Sequence, residues 1–243
     1  MEIIDKVVLI TGASSGIGLA TARLFAQKGA RLALAARSTE KLEQIVSVLP
    51  NAIAVPTDMR DEAAVRRMVA QTQQYYGRID VLINNAGQGL HVPVEKVNVD
   101  TYRSVFELNV VGVIVAMQEA IPIMRAQGGG VIINISSGTS KIPPERLKGA
   151  SVGPYASTKY ALNSITLTAR QELATDNISV SLVYPGITAT DFNDNLAGGR
   201  QPDHRQPGAM PVDTPEYVAE KILEAVETQA AEVYADSLKK VLS

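Results

Sequence analysis

The feature that most constrains this chain is a glycine turn set between a short apolar run and a helix. Val7, Val8, Leu9 and Ile10 are consecutive and apolar, the pattern of a strand buried on both faces. The run leads into Thr11-Gly12-Ala13-Ser14-Ser15-Gly16-Ile17-Gly18, after which Leu19, Ala20, Ala22, Leu24 and Phe25 give a helical reading. A glycine turn alone is often no more than a tight turn. Placed after a strand and opening a helix, it lets backbone approach a pyrophosphate, and the free N–H groups and dipole of the helix start favour its charge. The spacing is Gly-x3-Gly-x-Gly, not the commoner Gly-x-Gly-x-x-Gly, but the flanks supply the context that a dinucleotide cradle needs. Gly12, Ser14, Ser15, Gly16, Ile17 and Gly18 are therefore candidate cofactor contacts.

Strands and helices alternate along the rest of the chain. Gly29 stops the first helix, and Arg31 to Ala35 reads as a second strand. A helix over Thr39 to Leu49, a strand over Ala52 to Val55, a helix from about Asp61 to Tyr76 and a strand over Ile79 to Ile83 follow. Val99 to about Ala126 is a long helical stretch with Pro122 as its expected kink, and Gly128 to Gly130 breaks it before a strand over Val131 to Ile135. Pro154 suits the first turn of another helix. Thr214 as N-cap, Pro215 and Glu216 start a further helix that ends near Gln229, and Ala231 to Ala235 reads as a last short strand. The tail from Leu238 to Leu242 offers few apolar residues. This alternation predicts an α/β fold with a doubly wound parallel sheet. With 46% hydrophobic residues and no linker or repeat, the 243 residues are expected to form one domain.

Charge excludes more than it suggests. Basic and acidic residues number 23 and 25 and are well mixed, which gives no footprint for nucleic acid or an anionic membrane. There is no cysteine, and His91 and His204 lie far apart, so no metal site is expected. The apolar runs read as too short to span a bilayer. Met1 to Lys6 lacks a basic leader and a cleavage site, so a reducing cytoplasm is the expected location.

The strand ends carry the chemistry. At the tip of the second strand stand Ala36, Arg37 and Ser38, where an NAD site would hold an acid for the ribose 2′-hydroxyl. A guanidinium there fits a 2′-phosphate and argues for NADP(H), unless Arg37 only caps the turn. Asp58, followed by Met59, could accept from an adenine amino group or cap the next helix. Asn84, Asn85, Ala86 and Gly87 leave the fourth strand, suited to cofactor contacts and to crossbridging strands, or forming a plain turn. Asn109, among Leu108, Val110 and Val111, is either a core fixture or a holder of water. Tyr155 and Lys159, four apart, share a helix face. An ammonium near a phenol favours the phenolate, so the pair is a candidate proton donor and its tuner, or else a solvated face.

Together Thr11-Gly12-x3-Gly16-x-Gly18, Asn84-Asn85-Ala86-Gly87, Asn109, Ile135-Ser136-Ser137 and Tyr155-x3-Lys159 resemble the short-chain dehydrogenase/reductases. Pro185-Gly186-Ile187-Thr188-Ala189-Thr190 follows in the expected place, and the resemblance runs from the first strand to about Thr190. It implies a seven-stranded Rossmann sheet between two layers of helices. It also implies a catalytic set of Asn109, Ser137, Tyr155 and Lys159. Tyr155 would be the general acid/base, and Lys159 would lower its pKa and bond the nicotinamide ribose. Ser137, with Ser136 as rival, would hold the substrate oxygen, and Asn109 would position a water. Asn85, Ala86 and Gly87 would line the cofactor, Thr188 and Thr190 would hold its carboxamide, and Pro185 and Gly186 would lie beside it. A homodimer or homotetramer is implied as well.

Two stretches stand apart. The connection from Ser137 to Tyr155, with Lys141, Pro143, Pro144, Glu145, Arg146 and Lys148, reads as a wall over the substrate or a plain insertion. Residues 191–213, rich in glycine and proline, read as a mobile substrate lid. Arg146, Lys148, Arg200 and Arg205 hint at an anionic substrate group, against the stronger reading of solvated loop charges. The function expected is an NADP(H)-dependent oxidoreductase acting on a carbonyl/alcohol pair. The alternative is a regulatory or scaffold protein that binds NADP(H) without catalysis.

Overall fold

Seven of the apolar runs meet in one parallel sheet, in a computed structural model that describes residues 1–147, 150–192, 194–199 and 211–242. In chain order the elements are β1 (Val7–Thr11), α1 (Gly16–Gln27), β2 (Arg31–Ala36), α2 (Thr39–Val46), β3 (Ala52–Pro56), α3 (Glu62–Tyr76) and β4 (Val81–Asn84). After them come α4 (Val99–Phe106), α5 (Gly112–Ala126), β5 (Gly130–Ile135), α6 (Gly153–Glu172), β6 (Ile178–Tyr184), β7 (Ile187–Thr188), β8 (Val212–Asp213), α7 (Pro215–Thr228), β9 (Glu232–Tyr234) and α8 (Asp236–Leu242). The sheet order is β3-β2-β1-β4-β5-β6-β9. Chain order reverses between β1 and β4, where Val8 pairs with Leu32 on one side and Val81 on the other. A crevice opens at the carboxyl ends of the strands at such a reversal, and ligands of open parallel sheets lie there.

Both faces of the sheet are covered. Ile10, Leu34, Ile83 and Ile133 pack with Phe25 of α1 and Ile222 of α7 on one side. Leu9, Leu82 and Ile132 pack with Met68 of α3, Met117 of α5 and Leu162 of α6 on the other. Each fully buried aliphatic or aromatic side chain contributes about 1.5–3 kcal/mol, which is why the strands read as unbroken apolar runs rather than alternating ones.

Local chemistry sets the element ends, in places against expectation. Asp61, not Asp58, caps α3, accepting from Ala64 N–H at 3.1 Å. Asp58 instead accepts from Arg60 N–H at 3.0 Å, a turn that ends before the helix begins. Thr214 caps α7 as expected, accepting from Tyr217 N–H at 3.1 Å. The stretch from Val99 to Ala126 is continuous, and its break in α geometry is a π turn at Glu107–Val111 rather than at Pro122, which sits inside α5. This stretch is 28 residues long and apolar enough to cross a membrane by length and composition, contrary to the expectation that every run is too short. Its Val113, Val115, Ala116, Met117 and Ala120 are buried in the core, which accounts for the apolar character. Gly112 follows the π turn at a point where a Cβ would run into the Met59 carbonyl, so α5 crosses hard against the loop after β3.

The tail, for all its few apolar residues, forms α8. Leu238 is fully buried with Ile142, Leu182, Tyr184 and Ala235 in a small separate cluster. The far end of the 191–213 stretch is also ordered into a short parallel pair, Ile187 with Val212 and Thr188 with Asp213. The central part of that stretch, with Arg200, His204 and Arg205, lies outside the described residues, as does Lys148.

Candidate active site

One cavity of about 740 Å³ runs along the carboxyl ends of the strands. At one end lies the β1–α1 turn. Gly12 and Gly16 have φ of +68° and +52°, and a Cβ on Gly18 would meet the Gly12 carbonyl and stand 2.6 Å from Asn85 Nδ2. Gly18 thus serves close packing rather than lining. Asn85 holds the turn shut, its Nδ2 donating to the carbonyls of Thr11 at 2.9 Å and Gly12 at 3.2 Å. Ser15, at the N-cap of α1, is extended and makes no side-chain cap bond, so the first N–H groups of the helix stay open toward the cavity. An open cradle of N–H groups, with Ser14 and Ser15 hydroxyls that make no hydrogen bond among the described residues, fits a pyrophosphate.

The tip of β2 forms one wall. Arg37 is exposed, lines the cavity and makes no hydrogen bond or ion pair among the described residues, so it does not cap the turn. Ser38 and Lys41 stand beside it. Asp58 and Met59 line the cavity from the end of β3, with Arg60 3.6 Å from the Asp58 carboxylate. Ala86 and Gly87 follow Asn85 along the floor, while Pro185, Gly186, Thr188 and Thr190 close the opposite side. Asn84 points away from it and crossbridges the strands, donating to Asn134 Oδ1 at 2.8 Å, which in turn donates to Thr166 Oγ1 at 2.9 Å.

Ser137, Tyr155 and Lys159 meet at the other end. Tyr155 and Lys159 are both buried, 7% and 4% exposed, which rules out a solvated helix face. Lys159 Nζ donates to the Ile135 carbonyl at 2.9 Å and lies 5.9 Å from the centre of the Tyr155 ring. Burial pushes the Tyr155 phenol up to about 12, and only a hydrogen bond from Ser137 works the other way. Lys159 makes no hydrogen bond to the phenol in this arrangement, so burial sets the direction. Its own burial brings the ammonium down to about 8, and its hydrogen bond goes to backbone, not to the phenol. Ser136 and Ser137 part company: Ser136 Oγ donates to Asn163 Oδ1 at 2.5 Å beneath α6, whereas Ser137 contacts Thr139 Oγ1 at 3.0 Å and the phenol.

Asn109 is fully buried behind the cavity rather than in its lining. Its amide donates to the Gln88 carbonyl and Thr158 Oγ1, both at 3.0 Å, and its Oδ1 accepts from Gln88 N–H at 2.9 Å. Both amide hydrogens are therefore spent on protein, which makes the side chain a clamp between the π turn, the loop after β4 and α6. The same Oδ1 and Lys159 Nζ flank Gly87, at 3.3 and 3.6 Å from where a Cβ would stand.

Several cavity residues escaped the sequence reading. His91 lies near Tyr155, ring centres 5.8 Å apart, and Phe192 covers the phenol from another side at 5.7 Å. Ile142, Leu147 and Val152 of the connection after Ser137 form an apolar wall. Arg146 lines it too, but its guanidinium donates to the Val241 carbonyl. The signal available for His91 was its place just beyond Gly87-Gln88-Gly89, a glycine-bracketed exit from a buried strand.

The profile of the short chain dehydrogenase family matches residues 6–201. An uncharacterised oxidoreductase of Staphylococcus aureus is 35% identical over 188 residues, covering 76% of this chain and 79% of that one. One from Staphylococcus saprophyticus is 37% identical over 197 residues, covering 79% and 78%. Among solved structures, a short-chain dehydrogenase from Streptomyces avermitilis superposes with a TM-score of 0.83 at 29% identity over 98% of this chain and 90% of that one. A 3-ketoacyl-(acyl-carrier-protein) reductase from Brucella melitensis, complexed with NADH, gives 0.84 at 26% identity over 97% and 98%. With its glycine cradle, its seven-stranded sheet and these relatives, the chain belongs to the short-chain dehydrogenase family of oxidoreductases.

Proposed function

We propose that the chain is an NADP(H)-dependent oxidoreductase that interconverts a carbonyl and an alcohol, with Tyr155 as general acid/base. The observation that carries this reading is one continuous cavity, with a free Arg37 guanidinium at one end and Ser137, Tyr155 and Lys159 at the other. Arg37 and Ser38, with no carboxylate at the strand tip, favour a 2′-phosphate over a free 2′-hydroxyl. The nicotinamide, when bound, supplies or accepts the hydride.

The remaining work falls to the chain's own groups. Ser137 donates to the substrate oxygen and stabilises the charge that develops there. Tyr155 gives that oxygen its proton. A phenol held near 12 stays protonated at neutral pH, which suits it to act as the acid in reduction. Lys159, behind the phenol, is charged below about pH 8 and draws the phenolate's negative charge toward it once the proton has gone. Asn109 acts at one remove, fixing Gln88 and Thr158 so that the floor at Gly87 and the helix carrying Tyr155 keep their spacing. Phe192, its ring centre 5.7 Å from that of Tyr155, covers the phenol on one side.

The test is NADPH oxidation against ketones, aldehydes, quinones and 3-ketoacyl thioesters, with Tyr155→Phe as the blank. Turnover that disappears in the blank, while NADPH binding survives, is the expected result. Equal turnover in both proteins would refute the assignment of Tyr155.

A further inference from the structure

His91 is the polar group beside the reacting end that neither the fold nor the proton chemistry uses. It is 6% exposed, and neither Nδ1 nor Nε2 has a hydrogen-bond partner among the described residues. A buried imidazole left this way destabilises the fold unless something bonds it. Its backbone is well held, with N–H donating to the Gly198 carbonyl at 2.9 Å, so the ring is placed with care while its polar atoms are left unsatisfied. The ring sits edge-on to Tyr155 at 60° and lines the cavity. Its Nε2 lies 3.3 Å from where a Cβ on Gly89 would stand, beside Phe192 and Leu196, so Gly89 leaves room for this grouping.

We propose that His91 is a specificity-determining residue that holds a second, uncharged oxygen of the substrate, one or two carbons from the carbonyl that faces Tyr155. The inference rests on the reductase reading above and narrows its substrate to α- or β-oxygenated carbonyl compounds. A neutral imidazole offers one N–H and one lone pair, so it serves either a hydroxyl or a second carbonyl. Burial lowers its pKa and keeps it neutral. Two neighbouring polar side chains are already bonded: Gln88 to Arg60 and the Asn195 carbonyl, and Asn195 Nδ2 to the Asp191 carbonyl. Arg146 lines the cavity as well, donating to the Val241 carbonyl, and it is the neutral imidazole that makes an uncharged oxygen its matching group.

The test compares matched pairs that differ by one oxygen: cyclohexane-1,2-dione against cyclohexanone, and acetylacetone against pentan-2-one. In the wild type the ratio of kcat/KM within a pair is expected to favour the oxygenated member by about 10- to 100-fold, because a site built to bond an oxygen is left with unpaired groups when it is missing. His91→Phe, which keeps the aromatic contact, should lower that ratio by about tenfold or more, leaving only the intrinsic effect of the second carbonyl, and His91→Gln, which restores a donor and an acceptor, should recover part of it. An unchanged ratio in His91→Phe would overturn the proposal. Imidazole nitrogen resonances of Tyr155→Phe, with and without acetylacetone, separate this claim from the reductase reading. A shift of the His91 signal with acetylacetone but not pentan-2-one supports the subsite even if no turnover is found; no shift sinks it even if ketones are reduced.

Discussion

Replacing Lys159 by methionine should make this protein more stable and inactive. Burial holds the ammonium at about 8, against 10.5 in its ordinary state. One pH unit of displacement corresponds to about 1.4 kcal/mol, so keeping the charge at neutral pH costs the folded state about 3 kcal/mol. Methionine removes that cost and fills similar space. It also leaves the Ile135 carbonyl, now 2.9 Å from Nζ, without its donor, a loss of about 1 kcal/mol. The expected net gain is about 2 kcal/mol near neutrality, or roughly 4–8 °C in Tm at this chain length. The gain must depend on pH. Between about 8 and 10.5 the unfolded lysine keeps a proton that the folded one sheds, so wild-type stability rises there while the variant's does not. Tyr155 works in the opposite sense only above its ordinary value of 10.0, since the folded phenol keeps its proton up to about 12. Urea unfolding at about pH 7 and about pH 9.5, both below that range, isolates the lysine. The advantage should fall from about 2 kcal/mol to near zero. A variant less stable at neutral pH, or an advantage equal at both values, would refute the reasoning.

Three further outcomes follow from the same geometry. Arg37→Ala should weaken NADPH binding by at least about tenfold with little effect on NADH, because a charge-assisted bond to phosphate is lost; fluorescence titration with each nucleotide decides it, and equal loss for both would discard the NADP(H) assignment. Gly18→Ala forces a Cβ against the Gly12 carbonyl and within 2.6 Å of Asn85 Nδ2, so it should cost about 1–3 kcal/mol in denaturant unfolding and weaken nucleotide binding; an unperturbed Kd would show that the cradle tolerates the shift. Asp80→Ala removes the acceptor for Val7 N–H at 2.9 Å and Arg78 at 2.6 Å, at the amino ends of the strands, and should lower stability by about 2 kcal/mol while nucleotide affinity holds; a change in affinity would contradict that separation.

The parts of this molecule that could be read from sequence are those where local chemistry and fold agree. An apolar run, a glycine turn and a helix gave β1 and α1, and Thr214-Pro215-Glu216 gave the start of α7, because caps and periodicity act within a few residues. Asp58 and Asp61 defeated the same reasoning: both are acids ahead of a helix, and only the intervening turn at Arg60 decides which one caps it. The π turn at Glu107–Val111 has no sequence mark, since one extra residue in a turn leaves the apolar pattern nearly intact. Helix α8 was missed because Leu238 alone among its residues is a fully buried apolar side chain, and its partners Ile142 and Tyr184 are distant in sequence. At the site, Tyr155 and Lys159 stood out by spacing. The direction of their pKa values did not, because it depends on how deeply α6 is buried rather than on which residues neighbour one another.

Helix α8 reaches back to the substrate side of the cavity by several routes. Leu238 lies against Gly138, Val241 receives Arg146, Ser237 donates to Asp213 at 2.6 Å, and just before the helix Glu232 holds Lys141 at 2.7 Å. None of these contacts touches the nucleotide cradle. Substitutions in α8 can therefore reshape which molecules are accepted without touching the glycine turn, although Ser237 and Asp213 also stand against Gly186 on the opposite wall. Libraries that aim to change the substrate range have a natural address there, one residue removed from Ser137 at Gly138 and farther from Tyr155 and Lys159 in sequence.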